Sequence, residues 1–154
     1  SFDKVKGVIK SISGYSGGHV KNPTYRQVIY KDTGHVEAIE VLYDPKFTNY
    51  EELLKVFWVN IDPFDADGQF CDKGKSYRSV AFYQNQKEKK LIESSVSTIE
   101  KKFNKKKIVT LIWEFEIFYP AEDYHQNYYQ NNFLRYLAYK SRCQREEILN
   151  KIWN

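Results

Sequence analysis

Residues 108–118 read Ile-Val-Thr-Leu-Ile-Trp-Glu-Phe-Glu-Ile-Phe, an apolar run dominated by β-branched and aromatic side chains. A run of this kind fits a pleated sheet covered on both faces, and it predicts a central strand. Just upstream the period changes. Ile92, Val96, Ile99 and Phe103 recur at helical spacing, and the intervening positions are rich in lysine, as on a helix with one face against a core. Other strands are expected over Val5 to Tyr15, ending at the turn of Gly14 to Gly18, over Val36 to Tyr43, and over Ser79 to Tyr83. Thr48 with Glu51 three positions on predicts a capping box, followed by a helix on which Tyr50, Leu53, Leu54 and Phe57 share a face. Further helices are expected from about Glu122 to Asn131 and over Glu146 to Trp153. No repeat or linker divides the chain. Strands and helices therefore mix in one domain over residues 1–154, of α/β or α+β class, with a tail at 132–154.

Composition narrows the function classes. With 154 residues, 42% hydrophobic and 29% charged, the chain is long enough to bury a core and is neither disordered nor low in complexity. No apolar run approaches the roughly 18 residues of a membrane span, so no membrane partner is expected. The net charge of +4 is concentrated between Gln84 and Lys107, where eight lysines (Lys87, Lys89, Lys90, Lys101, Lys102, Lys105, Lys106, Lys107) face Glu88, Glu93 and Glu100. Without interleaved aromatics and arginine forks this reads as a solvated helix face, not a nucleic-acid site. Two cysteines, Cys71 and Cys143, are too few for the disulfide framework of a small secreted domain, although they suffice for a single bridge. A reducing, cytoplasmic setting is expected. The chain has no methionine and opens at Ser1, which leads us to expect a segment upstream.

Three segments carry candidate chemistry. In Asn22-Pro23-Thr24-Tyr25 and Thr33-Gly34-His35-Val36-Glu37, a phenol, an imidazole and a carboxylate gather at a strand entrance. A carboxylate opening an apolar strand either caps something or sits in a pocket that raises its pKa. His35 taken alone reads as a structural histidine. The long polar loop from Asp62 to Tyr77 carries Cys71, Asp72 and Tyr77, with Arg78 just beyond, and loops of that length in a small domain are usually functional. Ala121-Glu122-Asp123-Tyr124-His125-Gln126 is dense in polar groups directly after the most apolar run. There is no His-x-x-x-His or Cys-x-x-Cys spacing, so no metal is expected.

In order and spacing, Gly14-Tyr15-Ser16-Gly17-Gly18, Asn22-Pro23-Thr24-Tyr25, Thr33-Gly34-His35-Val36-Glu37, Tyr43-Asp44-Pro45, Asp62-Pro63, Ser76-Tyr77-Arg78-Ser79 and Ala121-Glu122-Asp123-Tyr124-His125-Gln126 resemble the peptide methionine sulfoxide reductase A family. The resemblance implies a ferredoxin-like two-layer α/β sandwich with a mixed sheet and long loops. It also implies reduction of the S epimer of methionine sulfoxide, free or in oxidised proteins, by a nucleophilic cysteine in a Gly-Cys-Phe-Trp motif. That motif is absent from the chain and is expected shortly before Ser1.

By the same resemblance Glu37 is the proton donor, Tyr25 and Tyr77 are phenols that hold the sulfoxide oxygen, and Asp72 orients the network. Gly34, His35 and His125 support it. The sulfenic acid left on the nucleophile condenses with a resolving thiol. Cys143, on a tail able to swing, is the first candidate and Cys71 the second. No cofactor is implied beyond a dithiol reductant such as thioredoxin, and a monomer is expected. If no upstream cysteine exists, the alternative is an inactive module that binds methionine sulfoxide. A third reading, weaker than these, is an adaptor acting through the basic helix.

Overall fold

The computed structural model describes residues 1–123 and 132–154. The long strand β1 (Val8–Ser16) pairs antiparallel with β2 (Val36–Tyr43) along its length, from Val8 opposite Tyr43 to Ser16 opposite Val36. At its C-terminal end β1 also pairs antiparallel with β7 (Phe118–Pro120), giving the order β2-β1-β7. Gly14 makes this second pairing possible, because a Cβ there would run into the Tyr119 carbonyl and the Phe118 ring. Between β1 and β2 lies the short helix α1 (Tyr25–Tyr30). It is entered through a capping box in which Thr24 accepts from the Gln27 amide and the Gln27 side chain accepts from the Thr24 amide.

Helix α2 (Tyr50–Val59) forms where expected, but its cap is Asn49, which accepts from the Glu52 amide, and not Thr48, which is buried. The loop beyond it holds a small hairpin, β3 (Gly68–Gln69) and β4 (Asp72–Lys73), and then a single 3-10 turn over Lys75–Tyr77. Strand β5 (Val80–Tyr83) runs parallel to β6 (Leu111–Glu114), and the helix α3 (Gln86–Lys102) crosses between them. Leu54 and Trp58 of α2, Ala81 of β5, and Ile92 and Ile99 of α3 form the main core, and the Trp58 indole donates to Ser95 Oγ at 2.9 Å. The lysines of α3 lie outside this stripe.

The single central strand expected over 108–118 is instead two. Phe115 still donates its amide to Tyr83, but Glu116 and Ile117 are exposed and the chain then steps across to pair with β1. The mixed α/β architecture thus contains an antiparallel set and a parallel pair that are not hydrogen-bonded to each other among the described residues. Of the helix expected at 122–131, positions 124–131 lie outside the described residues. The tail is helical throughout its described part, as α4 (Phe133–Arg142) and α5 (Arg145–Trp153), joined at Gln144 in a left-handed conformation. Among the described residues no helix is long and apolar enough to cross a membrane.

Candidate active site

A groove of about 920 Å³ runs between the β1–β2 face and the β5–α2 layer. Glu37, Asp72 and Tyr77 open onto it, and so do Ser1 and Phe2 at the start of the chain and Tyr136 and Tyr139 of α4. Strand β2 places Glu37 opposite Tyr15 of β1, so the two side chains share one face of the sheet. Tyr15 is buried and its hydroxyl donates to Glu122 Oε2 at 3.0 Å. The other oxygen of Glu122 accepts the Tyr25 amide at 2.8 Å. One carboxylate therefore ties β1 to the first residue of α1 and fixes where the Tyr25 ring stands.

Glu37 reaches water through the open side of the groove, while protein walls surround it elsewhere. Burial, and then the negative charge of Asp72, push its pKa up to about 7. A carboxyl in that position is largely protonated below neutrality and so has a proton to give. Tyr77 follows in the 3-10 turn, and its phenol shares a hydrogen bond with that of Tyr25. Burial and the nearby Glu37 charge raise the Tyr77 pKa further above the ordinary tyrosine range. Tyr77 therefore stays un-ionised at ordinary pH and is able to donate a hydrogen bond. Asp72 completes the set from the hairpin: Phe70 and Cys71 make its two-residue turn, and alternation along β4 sends successive side chains to opposite sides.

Gly34 and His35 do not open onto this groove. His35 is buried behind the Gly14–Gly18 turn, where Nδ1 accepts from the Gly18 amide at 3.0 Å and Nε2 therefore donates to the Val20 carbonyl at 2.7 Å. Gly34, at φ +77°, lets the chain pass close to Gly18. His125 lies outside the described residues. Cys71 and Cys143 are joined in a disulfide with Cα atoms 5.3 Å apart. The tail is therefore pinned, Cys143 being buried and Cys71 exposed. Neither cysteine lines the groove.

Sequence reading did not single out Glu122 as the tie between Tyr15 and Tyr25, nor Tyr139, whose hydroxyl donates to Asp72 Oδ2. The local signal for Tyr139 was its position one helical turn before Cys143. Among the described residues no three His, Cys, Asp or Glu side chains converge as a metal site would require.

The family model described as peptide methionine sulfoxide reductase matches residues 1–154. Among similar proteins, the peptide methionine sulfoxide reductase MsrA of Bacillus licheniformis is 45% identical over 153 residues, covering 99% of this chain and 84% of the relative. The MsrA of Bacillus subtilis is 44% identical, covering 99% and 86%. Among solved structures, methionine sulfoxide reductase A of Corynebacterium diphtheriae superposes with a TM-score of 0.75 at 29% identity, over 85% of this chain and 67% of that one. Mxr1 of Saccharomyces cerevisiae in its reduced form superposes with 0.74 at 31% identity, over 82% and 72%. The chain belongs to the peptide methionine sulfoxide reductase family, and its activity is the thiol-dependent reduction of methionine sulfoxide.

Proposed function

We propose that the groove reduces the S epimer of methionine sulfoxide, protein-bound or free, with Glu37 as the proton donor to the sulfoxide oxygen. The observation that carries this reading is a carboxyl held near pH 7 beside the un-ionised phenol of Tyr77, which is hydrogen-bonded to that of Tyr25. A thiolate attacking the sulfoxide sulfur builds negative charge on oxygen, and a protonated carboxyl with phenol donors stabilises that charge as it forms. In balance, one thiol and one sulfoxide give a sulfenic acid and a thioether, with two electrons leaving the thiol sulfur.

The attacking thiol is assigned to a cysteine shortly upstream of Ser1. Cys71 and Cys143 are held in their own disulfide off the groove, whereas Ser1 and Phe2 line it. The sulfenic acid condenses with a resolving thiol, Cys143 or Cys71, releasing water. Attack by the remaining thiol on that mixed disulfide frees the nucleophile and leaves the Cys71–Cys143 bond. A dithiol reductant of the thioredoxin class then reopens it, with no prosthetic group needed, in a monomer working in the reducing cytoplasm.

The direct test is Glu37→Gln in the full chain carrying the upstream cysteine, read as methionine released in one turnover. The expected result is a loss of roughly 100-fold or more. An unchanged rate overturns the assignment, and binding of the sulfoxide without any turnover in the unmutated chain overturns the enzyme reading.

A further inference from the structure

Helix α4 buries none of its own residues. The tail ends with Trp153 packed on Phe103, and it is also fixed by point contacts to the segment from Asn60 to Asp72. Arg145 donates to the Asn60 carbonyl at 2.9 Å, the Trp153 indole donates to the Ile61 carbonyl at 3.1 Å, Cys143 bonds Cys71, and Tyr139 donates to Asp72. The first two hold α5, with Arg145 itself lining the groove, and of the four only the last engages Asp72. Cys143 donates its amide to the Tyr139 carbonyl, so the two side chains stand one helical turn apart on α4, and their partners Cys71 and Asp72 are adjacent in the hairpin. The disulfide and the phenol thus form a two-point clamp.

We propose that Tyr139 is a positioning residue of the reaction: its hydroxyl holds the Asp72 side chain in place beside Glu37, and the Cys71–Cys143 disulfide brings it there. The proposal rests on the reading of Glu37 as proton donor. A hydrogen bond fixes the direction in which a carboxylate points, and so where its charge acts on Glu37. Around Glu37 the neighbours are Asp72 from the hairpin, Tyr77 from the 3-10 turn with Tyr25 of α1 behind it, and Tyr139 from α4, itself near Arg145 of α5. Burial, and then the bond to Asp72, raise the Tyr139 pKa above the ordinary tyrosine range, so it remains a donor throughout the working pH range. Deleting that donor leaves Asp72 free to turn away from Glu37.

In the full chain, Tyr139→Phe keeps the ring and removes the hydroxyl. Methionine formation in one turnover should slow about tenfold, as loss of one charge-assisted hydrogen bond implies, while KM stays within about twofold. Because Tyr139 acts through Asp72, adding Tyr139→Phe to Asp72→Asn should slow that variant by less than about twofold. An unchanged rate in Tyr139→Phe, or losses that multiply in the double variant, overturns the proposal.

A second readout does not depend on catalysis. With 13C at the tyrosine Cζ atoms of the 154-residue chain, the Tyr139 signal is identified by its loss in Tyr139→Phe. It should remain un-ionised at about pH 10.5 in the oxidised chain and ionise in the ordinary range near 10 after reduction. In that reduction a dithiol gives two electrons and two protons, the Cys71–Cys143 bond becomes two thiols, and the dithiol closes to its own disulfide. Ordinary ionisation with the disulfide intact overturns the clamp, and an unmoved signal after reduction overturns delivery by the disulfide. If instead the signal behaves as expected but Glu37→Gln reacts at the full rate, it is the proton-donor reading that fails.

Discussion

The two walls of the groove are held in different ways. Glu37 stands on β2, which is paired to β1 along its whole length, and behind it Tyr15 and Glu122 lock the sheet to α1. Asp72 stands on a two-residue strand in a long loop braced by its own bonds, Gln69 to Asp62 and Lys73 to Asp65, and the tail adds one disulfide and a few side-chain contacts. The Glu37 side of the groove is thus built by cooperative backbone pairing, and the Asp72 side by separable links. Cooperative structure fails as a unit, whereas separable links can be cut one at a time and leave the rest folded.

That contrast can be broken from either side. The largest effect is expected on the sheet: Gly14→Val places a side chain into the Tyr119 carbonyl and the Phe118 ring. It should cost about 3 kcal/mol, lowering the melting temperature by roughly 6–12 °C with loss of the β1–β7 pairing. A melting point within a degree of the unmutated chain would show that β7 is not locked as described. Of similar size is Cys143→Ser, expected to cost roughly 2–4 kcal/mol through the lost cross-link. Amide exchange should quicken in α4 and the 68–73 hairpin while β1 and β2 keep their protection. Equal loss in both walls would erase the distinction.

The smallest effect concerns pH. Glu37 binds its proton more tightly in the folded chain, with a pKa of about 7, than in the unfolded chain, at about 4.5. Between those values the native state holds more protons, so stability falls as pH rises from about 4.5 to 7. Glu37→Gln removes this penalty. Because the group also meets water, the gain is discounted to about 1 kcal/mol at pH 8 and vanishes below pH 5. A stability gain that is equal at pH 4 and pH 8 would contradict the shifted carboxyl.

The sheet wall was legible in the sequence, because Ile39, Val41 and Tyr43 alternate with Glu40 and Leu42 along β2 and Glu37 stands near its start, and period alone placed α2 and α3. The cap of α2 was misassigned because Thr48 and Asn49 are both competent caps and only the fold shows that Thr48 is buried. The break within 108–118 was hidden for a different reason: an apolar run shows that a segment is strand but not where it changes partner, and here the change falls at the exposed Glu116 and Ile117. The Asp72 wall was the least legible. Tyr139 meets Asp72 across 67 positions, and its place one helical turn before Cys143 points to Asp72 only once the Cys71–Cys143 bond is known.

The central claim is that Glu37, poised near neutrality, supplies the proton. Its most direct test is the single-turnover rate of methionine formation followed from pH 5 to pH 9, for the full chain and for Glu37→Gln. The rate should descend through a midpoint near 7 in the unmutated chain, and that descending limb should be absent from the slower variant. A descending limb with the same midpoint in Glu37→Gln would contradict the account.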